Sequence, residues 1–348
     1  MKKNILNNLT WKPPEEWIII KTIDMHTGGE PLRVFTEGVP EIPGKSILDK
    51  RKYFSEHYDK IRTAIMWEPR GHADMYGAVI TEPTSADGDF GVFFLHNEGY
   101  STMCGHAIIA LTKFVLETGI IVKTDNNPVL KIDVPAGRIE STAVIKNGIV
   151  KKVSFRNVPS FLLLRDQSVE VPGLGRIGFD VAFGGAFYAF CEARDLGLNL
   201  DKSDYWKIID FGKRIKKTVN DNFSIRHPYE PDLSFLYGTI FTGDPYDYKH
   251  HSRNVCVFAK GELDRSATGS GVSARAALHF AKKELNVGEK ITVESILGTT
   301  MDVKIIKSMK YDIYDAVIPE VTGSAEFTGQ NTFYLNPEDP LKDGFIFR

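Results

Sequence analysis

Residues 101–111 read STMCGHAIIAL: a cysteine at the mouth of an apolar run, with a glycine and a histidine directly after it. Residues 265–278, RSATGSGVSARAAL, repeat that shape with Thr268 in the thiol's place. The two corners stand 164 residues apart. Three further matches keep nearly the same spacing. YGAVIT (76–81) returns as YGTIFT (237–242) at 161, TGGEPLRV (27–34) as FGGAFYAF (183–190) at 156, and VLKIDVPAG (129–137) as KITVESILG (290–298) at 161. Four matches in one order, with offsets drifting by only a few residues, define an internal duplication of about 160 residues, the size of an ordinary domain.

Each copy mixes two periodicities. IIIKTID, GAVIT, FGVFFL and VLKIDV are short, β-branched or alternating stretches closed by Gly, Pro or Asp, as strands are. GHAIIALTKFVLETG, after Cys104, reads as a helix that is apolar nearly all round and therefore buried, with Gly119 as its stop. GSGVSARAALHFAKKELNVG, after Thr268, reads as its partner, with Lys282 and Lys283 at its negative pole and Gly288 beyond. Segments 41–60 and 201–234 are expected to be helical excursions. The fold class that follows is α/β (α+β), with residues 1–180 as an N-terminal domain, 325–348 returning to it, and 181–324 as the duplicated copy.

Bulk properties exclude several functions. The 348 residues are 42% hydrophobic and 25% charged with net charge −2, so nothing favours nucleic acid or an anionic membrane as partner. The opening MKKNILNNLTWKPPEEW lacks the apolar stretch of a secretory signal, and no run reaches the ~18–20 apolar residues of a membrane span. Cys104, Cys191 and Cys256 are too few and too scattered for a disulfide framework or a zinc site, which points to a reduced, cytoplasmic protein. Cys191 and Cys256 sit in strand-like YAFCEA and NVCVF and read as packing residues. No Walker lysine and no G-x-G-x-x-G are present, which disfavours nucleotide binding.

Two helix N-termini facing one cleft have a definite chemistry. Each leaves backbone N–H groups unpaired and carries roughly half a positive charge, so a small carboxylate can be held by Gly105 and His106 on one side and by Gly269 and Ser270 on the other. The same field is expected to lower the pKa of Cys104. A fixed carboxylate with a base beside it is the equipment for removing an α-proton. Taken singly, Cys104 reads as a small buried hydrophobe, His106 as a structural histidine and TGSG as a turn. A matched pair of glycine-flanked corners is more than core packing requires. His26, Thr27, Gly28, His251 and Ser252 are further candidates for the cleft, balanced against turn-stabilising roles.

The stretches DMHTGGEPLRV (24–34), EPRGHADMYG (68–77), HNEGYSTMCGH (96–106), FGGAFYAF (183–190), HSRNVCVFAKGELDRSATGSG (251–271) and NPEDPLKDGF (336–345) together resemble the proline racemase family over nearly the whole chain. The resemblance implies a diaminopimelate-epimerase-like fold of two pseudo-symmetric domains, each a sheet wrapped around a central helix. It also implies a site between the domains, no cofactor, a hydroxyproline-type substrate, and room for a homodimer. Two-base members carry a cysteine at both corners. Thr268 in place of the second is the pattern of members that dehydrate trans-3-hydroxy-L-proline. Carried over residue by residue, Cys104 accepts the proton, Gly105, His106, Gly269 and Ser270 hold the carboxylate, and Asp264 with His106 takes the ring nitrogen. Ala107 and Ala267 depart from the common glycine and proline.

Threonine is too weak an acid to exchange a proton with a carbanion, so inversion at Cα is expected to be slow, whereas elimination needs no donor on the second face. Three alternatives stand beside this: proline racemase or 4-hydroxyproline 2-epimerase activity, a cysteine hydrolase for which His106 is poorly placed as base, and a non-catalytic amino-acid binder.

Overall fold

The computed structural model describes residues 10–347. Five α-helices occur among them: α1 (Ile47–His57), α2 (Asp59–Met66), α3 (Gly105–Glu117), α4 (Tyr205–Asn222) and α5 (Gly269–Ala281). α1 and α4 fall in the two segments expected to be helical, and α2 starts at the end of the first and runs beyond it. α1 opens on a capping box, with Asp49 N–H donating to Ser46 Oγ at 3.1 Å and Ser46 N–H donating to Asp49 Oδ2 at 3.0 Å. α4 buries Ile208, Gly212, Ile215 and Val219, a stripe at helical spacing. Gly212 has no room for a side chain, since a β-carbon there would lie 2.6 Å from Val257 Cβ.

The strands repeat one pairing order twice. In the first half, Ile18–Thr27 pairs antiparallel with Glu30–Glu37, which runs parallel to Tyr76–Thr81. That strand is antiparallel to Phe90–His96, itself parallel to Val129–Val134, and two hairpins follow through Gly137–Lys146 to Ile149–Arg156. In the second half, Gly175–Phe183 pairs antiparallel with Phe187–Glu192, which runs parallel to Leu236–Gly243. Ser252–Phe258 is antiparallel to the latter and parallel to Lys290–Glu294, and hairpins follow through Thr300–Tyr311 to Tyr314–Gly323. The strand pairs found by matching YGAVIT with YGTIFT, and VLKIDV with KITVE, occupy equivalent places.

Each half curves round one helix, giving a mixed α+β fold. The second set of strands closes on itself, because Ser160–Val171 pairs both with Gly175–Phe183 and with Ala316–Val317. The first set receives Ala325–Leu335 alongside Ile18–Thr27. Tyr314–Gly323 also pairs with Ile149–Arg156, so one strand joins both halves. The boundary expected between residues 180 and 181 lies inside the strand Gly175–Phe183.

α3 is buried from Gly105 to Val115 and α5 from Gly269 to Leu278. Ile108, Ile109, Leu111, Phe114 and Val115 of α3 are essentially inaccessible, and each contributes roughly 1.5–3 kcal/mol by burial. Gly119, at φ +73°, ends α3 as expected. α5 ends at Ala281 with Lys282 and Lys283 at its negative pole and Gly288 beyond, as expected. Lys283 takes the left-handed turn at φ +62° that glycine usually provides, and Gly288 donates to Ile305 O in the strand Thr300–Tyr311. Among the described residues no helix is long and apolar enough to cross a membrane.

Candidate active site

The two corners meet. A β-carbon on Gly105 would lie 2.5 Å from Gly269 Cα, and one on Gly269 would lie 2.6 Å from Gly105 Cα, so α3 and α5 abut start to start. Only glycine permits this approach. The repeated turns seat the two helix starts. Thr27 Oγ1 donates to His106 O at 2.8 Å in the first half. In the second, a β-carbon on Gly184 would lie 2.3 Å from Ser270 O, and Asn157 Nδ2 and Thr102 Oγ1 donate to Gly184 O and Gly185 O. TGGE and FGGA thus do one job twice.

Where the helices meet lies a small cavity of about 20 Å³, room for about one water. Cys104, Gly105, His106, Asp264, Thr268, Gly269 and Ser270 all line it. Every site residue expected from sequence is therefore brought to one place. Of the further candidates, Thr27 supports the start of α3 from outside. His26 accepts from Gly29 N–H in its own turn, and His251 pairs with Ser252 Oγ at 2.7 Å. None of these forms the cavity wall. They are turn and strand residues.

Cys104 caps α3 in extended conformation, φ −144° and ψ 104°. The field of the helix terminus does not win there. Burial pushes the thiol well above its ordinary value; the N–H of Ala107 pulls it down, Asp264 pushes it up and the Tyr76 hydroxyl pulls it down again. The expected lowering is overturned because the second half seals the sulfur from water, which penalises the thiolate more than the dipole favours it.

His106 also departs from expectation. Its Nδ1 lies 3.2 Å and its Nε2 3.7 Å from Cys104 Sγ, so it does reach the sulfur that sequence spacing placed beyond it. The ring also bonds the Pro31 carbonyl, and burial keeps its pKa below the usual histidine value. A neutral imidazole that anchors to the Pro31 carbonyl turns its ring towards the thiol and holds it in place.

The second corner is built otherwise. Thr268 caps α5 at φ +67°, a conformation that costs a β-branched residue of order 1–3 kcal/mol. Its N–H donates to Ser266 Oγ, and Ser266 N–H donates to Asp264 Oδ1 at 2.7 Å, so the carboxylate organises the turn that presents the threonine. Cys256 is the third correction. Its strand buries it completely, as a packing residue would be, but its side chain is part of the cavity wall and stands against Thr268.

Three tyrosines complete the wall and were not anticipated. Tyr76 and Tyr237 open the matched YGAVIT and YGTIFT strands, and that match is the signal that could have found them. Tyr188 bonds Ser270 Oγ at 2.7 Å. Burial pushes all three phenols well above their usual range, so they remain donors. Behind the wall, Glu30 accepts from Arg265 N–H at 2.6 Å, and burial together with nearby Asp264 raises its carboxyl far above the usual carboxylate range.

Three polar contacts tie the two halves together around the site. Arg265 Nη1 donates to Asp74 Oδ2 at 2.5 Å, His96 Nδ1 stands 3.0 Å from Glu262 Oε2, and Thr299 Oγ1 donates to Gly28 O at 2.7 Å.

Residues 22–346 match the family model described as proline racemase. The chain is 50% identical to a protein of Colwellia psychrerythraea named trans-3-hydroxy-L-proline dehydratase, over 97% of this chain and 96% of that one. It is 43% identical to a protein of the same name from Bacillus cereus, over 94% and 98%. Among solved structures, a hydroxyproline epimerase of Agrobacterium vitis with bound trans-4-hydroxy-L-proline superposes with a TM-score of 0.89 at 27% identity, covering 95% of this chain and 96% of that one. A duplicated fold with paired helix starts, a buried thiol at one and a match from end to end leave one assignment: the chain belongs to the proline racemase family.

Proposed function

We infer that this protein dehydrates trans-3-hydroxy-L-proline, and that Cys104 and Thr268 decide between elimination and inversion. One observation carries the reading: both residues face one cavity, a thiol on one side and a hydroxyl on the other. The names of the relatives from Colwellia and Bacillus agree with it.

The substrate carboxylate lies against the N–H groups of Gly105, His106, Gly269 and Ser270 at the joined helix starts, where unpaired donors and dipole favour an anion. Asp264, with His106, takes the ring nitrogen. Cys104, as thiolate, removes the α-proton. The electron pair forms the Cα=C3 bond, the C3–O bond breaks, and Δ2-pyrroline-2-carboxylate leaves to tautomerise to the Δ1 imine. In the trans isomer the 3-hydroxyl lies opposite the carboxylate, on the face of the α-hydrogen. Base and leaving group are therefore served from one side, a syn elimination. Thr268 cannot return a proton from the other. A cavity of about 20 Å³ is too small for a five-membered ring, so the contacts at Arg265–Asp74, His96–Glu262 and Thr299–Gly28 separate on entry and re-form around the substrate.

The same reading extends to the architecture. The two matched sets of strands fit a diaminopimelate-epimerase-like pair of domains, with strand pairing supporting 18–156 plus 325–335 as one and 160–323 as the other. A net charge of −2 and three free cysteines support a cytoplasmic enzyme with no nucleic-acid partner.

Incubating the enzyme with trans-3-hydroxy-L-proline and trapping the imine tests this directly. Turnover of that substrate is expected, without conversion of L-proline to D-proline or of trans-4-hydroxy-L-proline to its epimer. Rapid epimerisation with no dehydration would overturn the reading.

A further inference from the structure

We propose that Tyr76 is the general acid of the elimination, delivering its phenolic proton to the departing 3-hydroxyl and recovering one from Cys104. The proposal rests on the dehydratase reading and answers a question that reading leaves open: what protonates the leaving group.

Geometry selects Tyr76. It opens the strand Tyr76–Thr81, is 3% exposed, and lines the cavity beside Cys104. Its ring packs edge-on to His106 with centroids 4.8 Å apart, which fixes it on the Cys104 side. Its hydroxyl lies near enough to the Cys104 sulfur to influence the thiol's titration, and it hydrogen-bonds the buried Ser101 hydroxyl. The α-hydrogen and the trans 3-hydroxyl share one face of the ring, so a donor next to Cys104 is next to the leaving oxygen. The other donors are less suited. Burial keeps His106 neutral, and Tyr237, the equivalent residue of the second half, packs edge-on to Tyr188 with centroids 5.8 Å apart rather than against His106. Glu30 stands outside the cavity wall.

The step balances. Cys104 thiolate takes the α-proton and becomes a thiol, and the Cα–H electrons form Cα=C3. The C3–O pair leaves on oxygen, which takes the Tyr76 proton to become water. The thiol then passes its proton to the tyrosinate within the cavity that both line. Thiolate and phenol are restored, and the net change is substrate to enamine and water. Ser101 holds the phenolic oxygen in place while it is charged.

Tyr76→Phe tests this, because it keeps the ring against His106 and removes only the proton. Dehydration of trans-3-hydroxy-L-proline is expected to fall about 10²–10⁴-fold in kcat, the usual weight of a general acid. Exchange of the α-proton of L-proline in D₂O, which needs Cys104 but no leaving group, is expected to stay within about tenfold of wild type. Elimination from trans-3-fluoro-L-proline, whose leaving group departs as an anion, is expected to suffer less than dehydration. Parallel loss of dehydration and exchange would overturn the proposal by showing that Tyr76 only positions Cys104. So would retention of full dehydration, or the same selective loss in Tyr237→Phe instead. A wild-type enzyme that does not dehydrate trans-3-hydroxy-L-proline defeats the underlying reading, a result separate from any behaviour of the variant.

Discussion

Gly105 and Gly269 touch across the midline of the molecule, each leaving less than 2.7 Å for a β-carbon before the backbone of the other. Because both begin a helix, this contact pools two sets of unpaired N–H groups in one spot. Alanine at either position must push the helix starts apart. Gly105→Ala and Gly269→Ala are each expected to lose about 1–3 kcal/mol of stability by overpacking and at least tenfold in affinity for pyrrole-2-carboxylate, a flat mimic of the carbanion. Denaturant melts and calorimetric titration measure the two effects. Wild-type affinity in both variants would show that the carboxylate is held elsewhere.

Cys104→Ser keeps the size of the side chain and removes the acidity. Dehydration is expected to drop by about 10³-fold or more, as loss of a proton acceptor implies, with pyrrole-2-carboxylate still bound within a few-fold. Steady-state rates and the same titration separate the two. Retained turnover would remove the thiolate from the mechanism.

Burial raises the Cys104 pKa, so at neutral pH the free enzyme holds the thiol. The active base is the deprotonated form, and kcat/KM therefore climbs with pH, with its ascending limb above the ~8.5 of an ordinary cysteine. A bound ring cation beside the sulfur favours the thiolate, so the limb of kcat is expected at lower pH than that of kcat/KM. A rate independent of pH from 7 to 10 would contradict the assignment.

Outside the cavity wall, His227 reports on stability. Its Nδ1 accepts backbone N–H bonds from Tyr229 at 3.4 Å and Glu230 at 3.0 Å, and burial lowers its pKa to about 4. The unfolded chain, with an ordinary histidine near 6.5, takes up the proton first. The neutral ring's contribution is therefore complete above pH 6.5 and is lost as pH falls towards 4. His227→Gln, which keeps an acceptor that does not titrate, is expected to flatten the decline of Tm between those values. An unchanged slope would place the acid sensitivity in other groups.

Much of this was legible in the sequence because the duplication printed it twice. Paired motifs located equivalent strands, and the glycine-flanked corners led to six residues that share one cavity with Asp264, which the family resemblance supplied. The rest depends on what one half does to the other. The raised pKa of Cys104 comes from burial by the second domain, which no local pattern reports. Whether His106 reaches the sulfur is a matter of rotamer, not of sequence spacing. Tyr76 and Tyr237 read as ordinary strand openers, since aromatic residues favour strands in any case. Cys256 was assigned to packing because strand alternation tells which residues share a face, not what that face meets.

Replacing Thr268 with cysteine supplies the missing acid. Thr268→Cys, assayed under reducing conditions because Cys256 is adjacent, is expected to gain epimerisation of proline-type substrates that the wild type lacks. Chiral chromatography of L-proline after long incubation reads the gain. If no α-proton exchange ever appears from the second face, Thr268 is not the counterpart of Cys104.

The most direct measurement follows L-proline with the unmodified enzyme in D₂O, by mass and by chirality together. With one ionisable group facing Cα, deuterium enters while the amino acid stays in the L form. Deuterated D-proline accumulating as fast as deuterated L-proline would contradict the account, because it requires a working acid on the Thr268 side.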